Sequence, residues 1–316
     1  MNREGVGIMM QAKQITVFGA NGFIGRHLVR RLAKTGAIIR VPTRHPEQAL
    51  ALKPMGDVGQ ITALPCSVRS DVSIRDAIGS SDAVINLIGI LYENGQDKFQ
   101  CLHVETAARL ARCAKEQGVK QFVQMSALGA SHQSMSAYAK SKAAGEQAVQ
   151  TFFPEATLIR PSIVFGPEDG FFNLFASLAL ISPVLPLIGG GQTRFQPVYV
   201  GDVAEAVIHI LQSPDARTRV YELGGPQVYT FESLLRLLLT VIQRHRCFME
   251  IPWTLAKGLA FFLEFMPHPL LTRDQVELLK SDNIVSGLHN TFHDLGIHPA
   301  AAEVILPTYL ERFRRP

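Results

Sequence analysis

Tyr138 and Lys142 are the residues of this chain whose types and spacing best suit catalysis. The segment from Ser136 to Thr151 reads as a helix, and on a helix side chains four positions apart share one face, about 6 Å from each other. An ammonium at that distance stabilises a phenolate. The pairing therefore predicts a phenol held below its ordinary value near pKa ~10, as a general acid or base requires. Tyrosine and lysine at this spacing also occur on solvated helices, so the chemistry depends on what surrounds the pair.

The elements that would position it start at Val17-Phe18-Gly19-Ala20-Asn21-Gly22-Phe23-Ile24-Gly25. Gln14 to Phe18 has strand composition, and Ile24, Leu28 and Leu32 then recur at helical spacing. The glycines thus mark a strand-to-helix junction. Gly19 permits the tight turn, Gly22 lets backbone approach a pyrophosphate, and Gly25 lets helix and strand pack closely. First-turn N–H groups, those of Phe23 and Ile24 among them, and the positive end of the helix dipole then face the phosphates. Arg30, Arg31 and Lys34 near the far end complement the dipole, and Gly36 is a stop signal.

After a second strand, Ala37 to Val41, comes Thr43-Arg44-His45-Pro46, where such a fold selects its cofactor. A site built for NAD(H) places a carboxylate there for the ribose 2′-hydroxyl. None is present. Arg44, helped by Arg40, suits a 2′-phosphate, which points to NADP(H) over NAD(H).

Gln60 to Leu64 reads as a third strand and Ser73 to Ile78 as a short helix. Asp82 to Gly89 reads as a buried central strand whose final glycine admits the cofactor. Helix Val104 to Gln117 and strand Gln121 to Ser126 follow. This alternation predicts an α/β fold with a Rossmann-type doubly wound parallel sheet. The domain expectation is a dinucleotide-binding unit over 14–165 and a smaller mixed region over 166–316, with 196–225 returning to the first.

Composition bounds the partners. The net charge of +4 is spread without a basic block, which argues against nucleic acid. Four cysteines, Cys66, Cys101, Cys113 and Cys247, show no metal-type pairing and suit a reducing compartment. His289, His293 and His298 lack a cysteine partner and read as solvated histidines, so no metal is expected. Asp202 reads as a packing carboxylate held by backbone N–H groups. The first thirteen residues are too short and too poor in charge for a signal or transit peptide, and Met9 or Met10 is an alternative start.

Two apolar stretches, Phe171 to Ile188 and Ile251 to Leu271, are interrupted by prolines and polar residues and are not expected to span a bilayer. Phe171, Phe172, Phe175, Leu178 and Ile181 read either as cover for a substrate cleft or, with Trp253, Leu255, Phe261, Phe262 and Phe265, as a surface for lipid, quinone or a membrane complex. Arg244, His245 and Arg246 lie just upstream as a small basic cluster.

The sequence resembles the extended and atypical short-chain dehydrogenase/reductase superfamily. The resemblance rests on Gly19-x-x-Gly22-x-x-Gly25, the strand ending at Gly89, Tyr138-x-x-x-Lys142, Arg160-Pro161-Ser162-Ile163-Val164-Phe165-Gly166-Pro167 and Val198-Tyr199-Val200-Gly201-Asp202-Val203-Ala204. Within that superfamily it is most similar to the short-chain-dehydrogenase-like accessory subunit of respiratory complex I and its bacterial relatives, through Leu52 to Gln60, Val84 to Gly89, Lys142 to Glu146, Gln196 to Val200, Leu271 to Glu277 and Asp294 to Ile297. The resemblance implies that Pro161, Ser162 and Ile163 flank the nicotinamide, with Ser126, Tyr138 and Lys142 beside them. It also implies a tightly held NADPH and complex I subunits as partners. A peripheral place follows on the inner face of the inner membrane, the matrix side in a mitochondrion, with the cytoplasm as the broader setting.

Active relatives end the fifth strand in two small hydroxyl residues, the second of which serves the substrate oxygen. Here the pair reads Ser126-Ala127, and loss of such a donor typically costs about 10²- to 10³-fold in rate. His103 replaces the asparagine often found in the proton relay; Ser131 or Ser134 is the nearest substitute for the missing hydroxyl. Whether the chain is an enzyme therefore stays open. The alternative to a structural or regulatory cofactor is an NADP-dependent oxidoreductase or epimerase acting on an apolar quinone precursor or isoprenoid-like substrate.

Overall fold

The computed structural model describes residues 13–314 apart from His268, so Met9 and Met10 lie outside the described residues. Seven strands, β1 (Gln14–Phe18), β2 (Ile38–Thr43), β3 (Ile61–Pro65), β4 (Ala83–Asn86), β5 (Gln121–Met125), β6 (Thr157–Pro161) and β7 (Val220–Leu223), form one sheet in the order β7-β6-β5-β4-β1-β2-β3. Every neighbouring pair is parallel, with Ile15 opposite Ala83 on one side and Ile39 on the other. The chain runs outward from β1 through β3 and then restarts at β4 on the other side of β1. That reversal opens a crevice at the carboxyl ends of β1 and β4, where such sheets bind ligands.

Side-chain alternation divides the core between the two faces. Ile15, Val17, Ile85, Val123 and Ile159 pack with Leu28, Val29 and Leu32 of α1 (Phe23–Lys34). Phe18, Val84 and Phe122 point the other way, onto Ile74 and Ile78 of α2 (Asp71–Ile78) and Leu110 of α3 (Thr106–Glu116). Each such fully buried side chain contributes roughly 1.5–3 kcal/mol relative to exposure. The Tyr138 helix is α4 (Ala137–Phe152), and α5 (Val200–Gln212) lies on the α1 face.

A second core, built on Phe165, Phe172, Phe195, Phe231 and Leu234, unites helices Phe172–Ile181 and Phe231–Val241 with the chain's end. Strands Val184–Ile188 and Cys247–Ile251 pair in parallel beside it. Phe172 is buried, and Phe171, Phe175 and Leu178 are partly buried in this core, whereas Ile181 is 83% exposed. Helix Trp253–Leu263 follows, and no helix among the described residues is long and apolar enough to cross a membrane.

Two elements differ from the sequence expectation. The strand expected to reach Gly89 ends at Asn86, because the Asn86 carboxamide accepts the Ile88 N–H at 3.1 Å and turns the chain out of the sheet. The helix expected from Val104 opens as a π-helical turn over Gln100–Glu105. There α4 crosses so closely that a Cβ on Gly145 would collide with the His103 carbonyl oxygen.

Candidate functional site

The glycine turn is shaped by contacts that exclude side chains. Gly19 has φ +80°, and an ideal Cβ there would lie 3.0 Å from the Leu87 carbonyl carbon, which closes β1 against the exit of β4. A Cβ on Gly25 would fall 2.5 Å from the Ala20 carbonyl oxygen, so the first turn of α1 sits directly on the loop. The Gly22 N–H donates to the Gly19 carbonyl at 3.0 Å. No side chain caps α1 and its first turn holds no carboxylate. A helix N-terminus left in this state offers unpaired N–H groups to an anion. The buried Asn21 Oδ1 has no partner among the described residues, while its Nδ2 donates to Thr43 Oγ1 at 3.4 Å. The uncapped N–H groups of the first turn, with space kept clear of Cβ atoms, fit a dinucleotide pyrophosphate.

At the end of β2, Arg44 is exposed and its Nη1 lies 3.4 Å from Asp97 Oδ1. An exposed pair of this kind is worth at most about 1 kcal/mol, so the guanidinium is easily redirected. Arg40 does not assist it. Its Nε and Nη2 donate to the carbonyls of Ala77 and Asp76 at 2.8 Å each, tying the side chain to the last turn of α2.

Tyr138 and Lys142 lie on one face of α4, the ammonium 5.7 Å from the centre of the phenol ring. The expected lowering of the phenol is reversed: burial pushes Tyr138 up to about 12 and, chiefly through desolvation, Lys142 down to about 8. Both shifts have one cause, since a low-dielectric site disfavours each charged form. The Lys142 Nζ reaches the Met125 carbonyl at 3.5 Å, and a Cβ on Gly89 would come within 3.0 Å of it. Ser126 Oγ, nearby at the end of β5, is buried without a partner among the described residues.

His103 is not a relay. Its Nε2 accepts the Ile90 N–H at 3.0 Å, and its Nδ1 lies 2.8 Å from Ser141 Oγ, which itself donates to the Tyr138 carbonyl at 2.7 Å. With Nε2 accepting and the Ser141 proton committed, the ring is neutral and carries its hydrogen on Nδ1. Burial and the Lys142 charge push it down to about 3. Ser131 and Ser134 each accept a backbone N–H two residues on, from Gln133 and Ser136, in the loop ahead of α4.

Pro161 ends β6, its carbonyl accepting from Leu128 N–H at 2.9 Å. The Ser162 hydroxyl and the Ile163 N–H both donate to Asn283 Oδ1, at 2.7 and 3.2 Å. Asp274 caps α4 from the same C-terminal region, accepting from Ser136 Oγ, Ala137 N–H and Tyr138 N–H at 2.8, 2.6 and 3.1 Å. Sequence reasoning missed Asn283 and Asp274. It also missed the buried Asn86–Gln124 pair, joined at 2.9 Å where β4 and β5 end. The only signal was that Asp274 falls within one of the phrases carrying the resemblance.

Asp202 accepts the Ala300 N–H at 2.7 Å. His289 Nε2 lies 3.2 Å from Arg160, and no group of three or more metal-type side chains is found among the described residues. Arg244 and Arg246 donate to the carbonyls of Phe313 and Ala179, so two members of the basic cluster are committed to the backbone. Phe262 and Phe265 are 71% and 76% exposed, with Leu255 and Phe261 also exposed, whereas Trp253 packs over Gly189.

The NAD dependent epimerase/dehydratase family matches residues 15–224. NADH dehydrogenase (ubiquinone) 1 alpha subcomplex subunit 9 of Arabidopsis thaliana mitochondria is 38% identical over 312 residues, covering 95% of this chain and 78% of that protein. The Mus musculus protein of the same name is 36% identical over 95% of this chain and 80% of its own length. Among solved structures, the Escherichia coli NADPH-dependent quinone oxidoreductase QOR2 complexed with NADPH superposes with a TM-score of 0.73 at 19% identity, covering 94% of this chain and 99% of that one. MoeE5 in complex with UDP-glucose and NAD gives 0.70 at 17%, over 94% and 97%. At such identities the two structures speak for the fold alone. With two thirds of its length matched by one family and nearly all of it aligned to one group of relatives, the chain belongs to the NAD dependent epimerase/dehydratase family and, within it, with the mitochondrial alpha subcomplex subunit 9 proteins.

Proposed function

We propose that this protein holds NADP(H) mainly as a structural or regulatory cofactor, as an accessory protein of the quinone-reducing respiratory complex I. The observation that carries the reading is an asymmetry within one site. The glycine turn fits a pyrophosphate, whereas at the other end Ala127 lacks a hydroxyl, the His103 hydrogen is committed to Ser141 Oγ and Tyr138 is held up at about 12. A bound dinucleotide would supply a hydride donor or acceptor there; the chain's own residues hold it, with Gly19, Gly22 and Gly25 around the phosphates and Arg44 toward a 2′-phosphate. A ligand held at a thousand times its Kd stabilises the folded chain by about 4 kcal/mol, which gives such a site a purpose without turnover. The names of the relatives support the partner, and a peripheral position on the inner face of the membrane that houses the complex is part of the same proposal. Purification under native conditions tests both parts: NADPH and complex I subunits should accompany the protein, and recovery of neither would refute the reading.

The exposed aromatic face of helix Trp253–Leu263 supports contact with a lipid or quinone-bearing surface. Binding to vesicles containing anionic lipid should be lost in Phe262→Glu with Phe265→Glu; unaltered protein that fails to bind would exclude lipid. The alternative, an NADP-dependent reductase or epimerase for an apolar substrate, is favoured by the shared face of Tyr138 and Lys142.

A further inference from the structure

The C-terminal region reaches back over the carboxyl ends of the sheet and places one side chain where a cofactor's reactive end would lie. A dinucleotide centred on the N-terminus of α1 extends to both sides of the switch between β1 and β4. Its adenosine half runs over β2 and β3, the side of Arg44, and the nicotinamide half runs over β4, β5 and β6. At about 4.8 Å per strand, the end of β6 lies roughly 14 Å from β1, near the far end of an extended dinucleotide. The hydrogen-bonding groups that follow β6 there are the Ser162 hydroxyl and the Ile163 N–H, and Asn283 already engages both.

The Asn283 backbone is fixed independently of its side chain. Its N–H donates to the Arg194 carbonyl at 2.8 Å and its carbonyl accepts from Gln196 N–H at 3.0 Å. The side chain is thus presented from an anchored support. The orientation of its amide follows from the donors: Ile163 N–H can only donate, so the oxygen faces it and Nδ2 turns toward the Leu128 carbonyl at 3.4 Å. A primary carboxamide with one acceptor and two donors is also the functional group at the end of a nicotinamide ring.

We propose that Asn283 is a built-in occupant of the nicotinamide carboxamide subsite, displaced when the nicotinamide half of a dinucleotide docks. The inference rests on the dinucleotide reading above. Its consequence is a two-part site in which the nicotinamide end is gated by the C-terminal region. Nicotinamide then adds little to affinity in the unaltered protein, because each hydrogen bond it gains replaces one that Asn283 loses.

Calorimetric titration with NADP⁺ and with 2′-phospho-ADP-ribose, which lacks the nicotinamide, tests this directly. Asn283→Leu keeps the volume and removes the competing carboxamide. It should tighten NADP⁺ about 5- to 30-fold and leave the fragment within about twofold. Asn283→Asp keeps an acceptor for both donors and should bind NADP⁺ no more tightly than the unaltered chain. In unaltered protein, which avoids any question of folding, the Asn283 side-chain amide resonance should move on addition of NADP⁺ but not of the fragment. Equal effects of the two ligands on that resonance, or weaker NADP⁺ binding by Asn283→Leu, would overturn the proposal while leaving the dinucleotide reading intact. Failure of unaltered protein to bind either ligand would overturn both.

Discussion

The neutral, buried His103 makes a quantitative prediction about stability and pH. It is 2% exposed and pushed down to about 3, against about 6.5 for an unfolded histidine. Above pH 6.5 the ring is neutral in both states, and its contribution to stability is fully present. As pH falls, the unfolded chain takes up a proton that the folded chain refuses, so stability is lost progressively from pH 6.5 down toward 3. At pH 5 the loss from this group alone is about 2 kcal/mol, from the 1.36 kcal/mol carried by each pH unit below 6.5. Urea unfolding at pH 7.5 and pH 5.0 would be compared between the unaltered chain and His103→Gln, whose oxygen retains an acceptor for Ile90 N–H. The variant carries its own packing penalty at both pH values, so the readout is the difference of differences. It should be about 2 kcal/mol smaller in pH sensitivity. An identical pH dependence in the two proteins would show that His103 is protonated in the fold, contrary to its hydrogen bonding.

Other perturbations test other parts. Gly25→Ala places a Cβ 2.5 Å from the Ala20 carbonyl oxygen and should abolish dinucleotide binding measured by calorimetry. Arg44→Asp should shift preference from NADPH toward NADH by at least about tenfold, since a phosphate contact is replaced by repulsion; unchanged selectivity would refute the 2′-phosphate assignment. Tyr138→Phe should leave NADPH affinity within about twofold and any respiratory phenotype unaltered, whereas a phenotype equal to deletion would favour the enzyme reading. Asp274→Ala removes the carboxylate cap of α4 and should destabilise the fold by about 1–2 kcal/mol in chemical denaturation.

The fold was legible because it is written in short-range signals. Apolar strand composition and helical spacing such as that of Ile24, Leu28 and Leu32 marked the strands and helices, and Gly19 and Gly25 marked a junction where a Cβ cannot be accommodated. Tyr138 and Lys142 were legible as neighbours because helical geometry alone sets their spacing. Their electrostatics were not. The sequence shows an ammonium beside a phenol and suggests attraction, but the burial to which Phe99 and His103 contribute decides the sign. Arg40 misled for a similar reason, since the carbonyls that hold it, those of Asp76 and Ala77, lie 36 and 37 residues away in sequence. Asp274 and Asn283 are farther still from the residues they hold, and nothing local in their type distinguishes them from surface polar residues.

These long-range contacts bear on what kind of site this is. A site built for turnover leaves its reacting end accessible and its acid or base near the working pH. Here the C-terminal region commits two polar side chains to that end. Asp274 fixes the first turn of α4 beneath Tyr138, and Asn283 satisfies the donors that follow β6. At the phosphate end, by contrast, Asn21 Oδ1 stays unpartnered among the described residues. A chain arranged in this way holds NADP⁺ and its nicotinamide-free fragment about equally, because a nicotinamide must displace Asn283 to dock. If NADP⁺ and its nicotinamide-free fragment prove to bind with equal affinity to the unaltered chain and unequal affinity to Asn283→Leu, the nicotinamide end serves as a gate and not as a reaction centre.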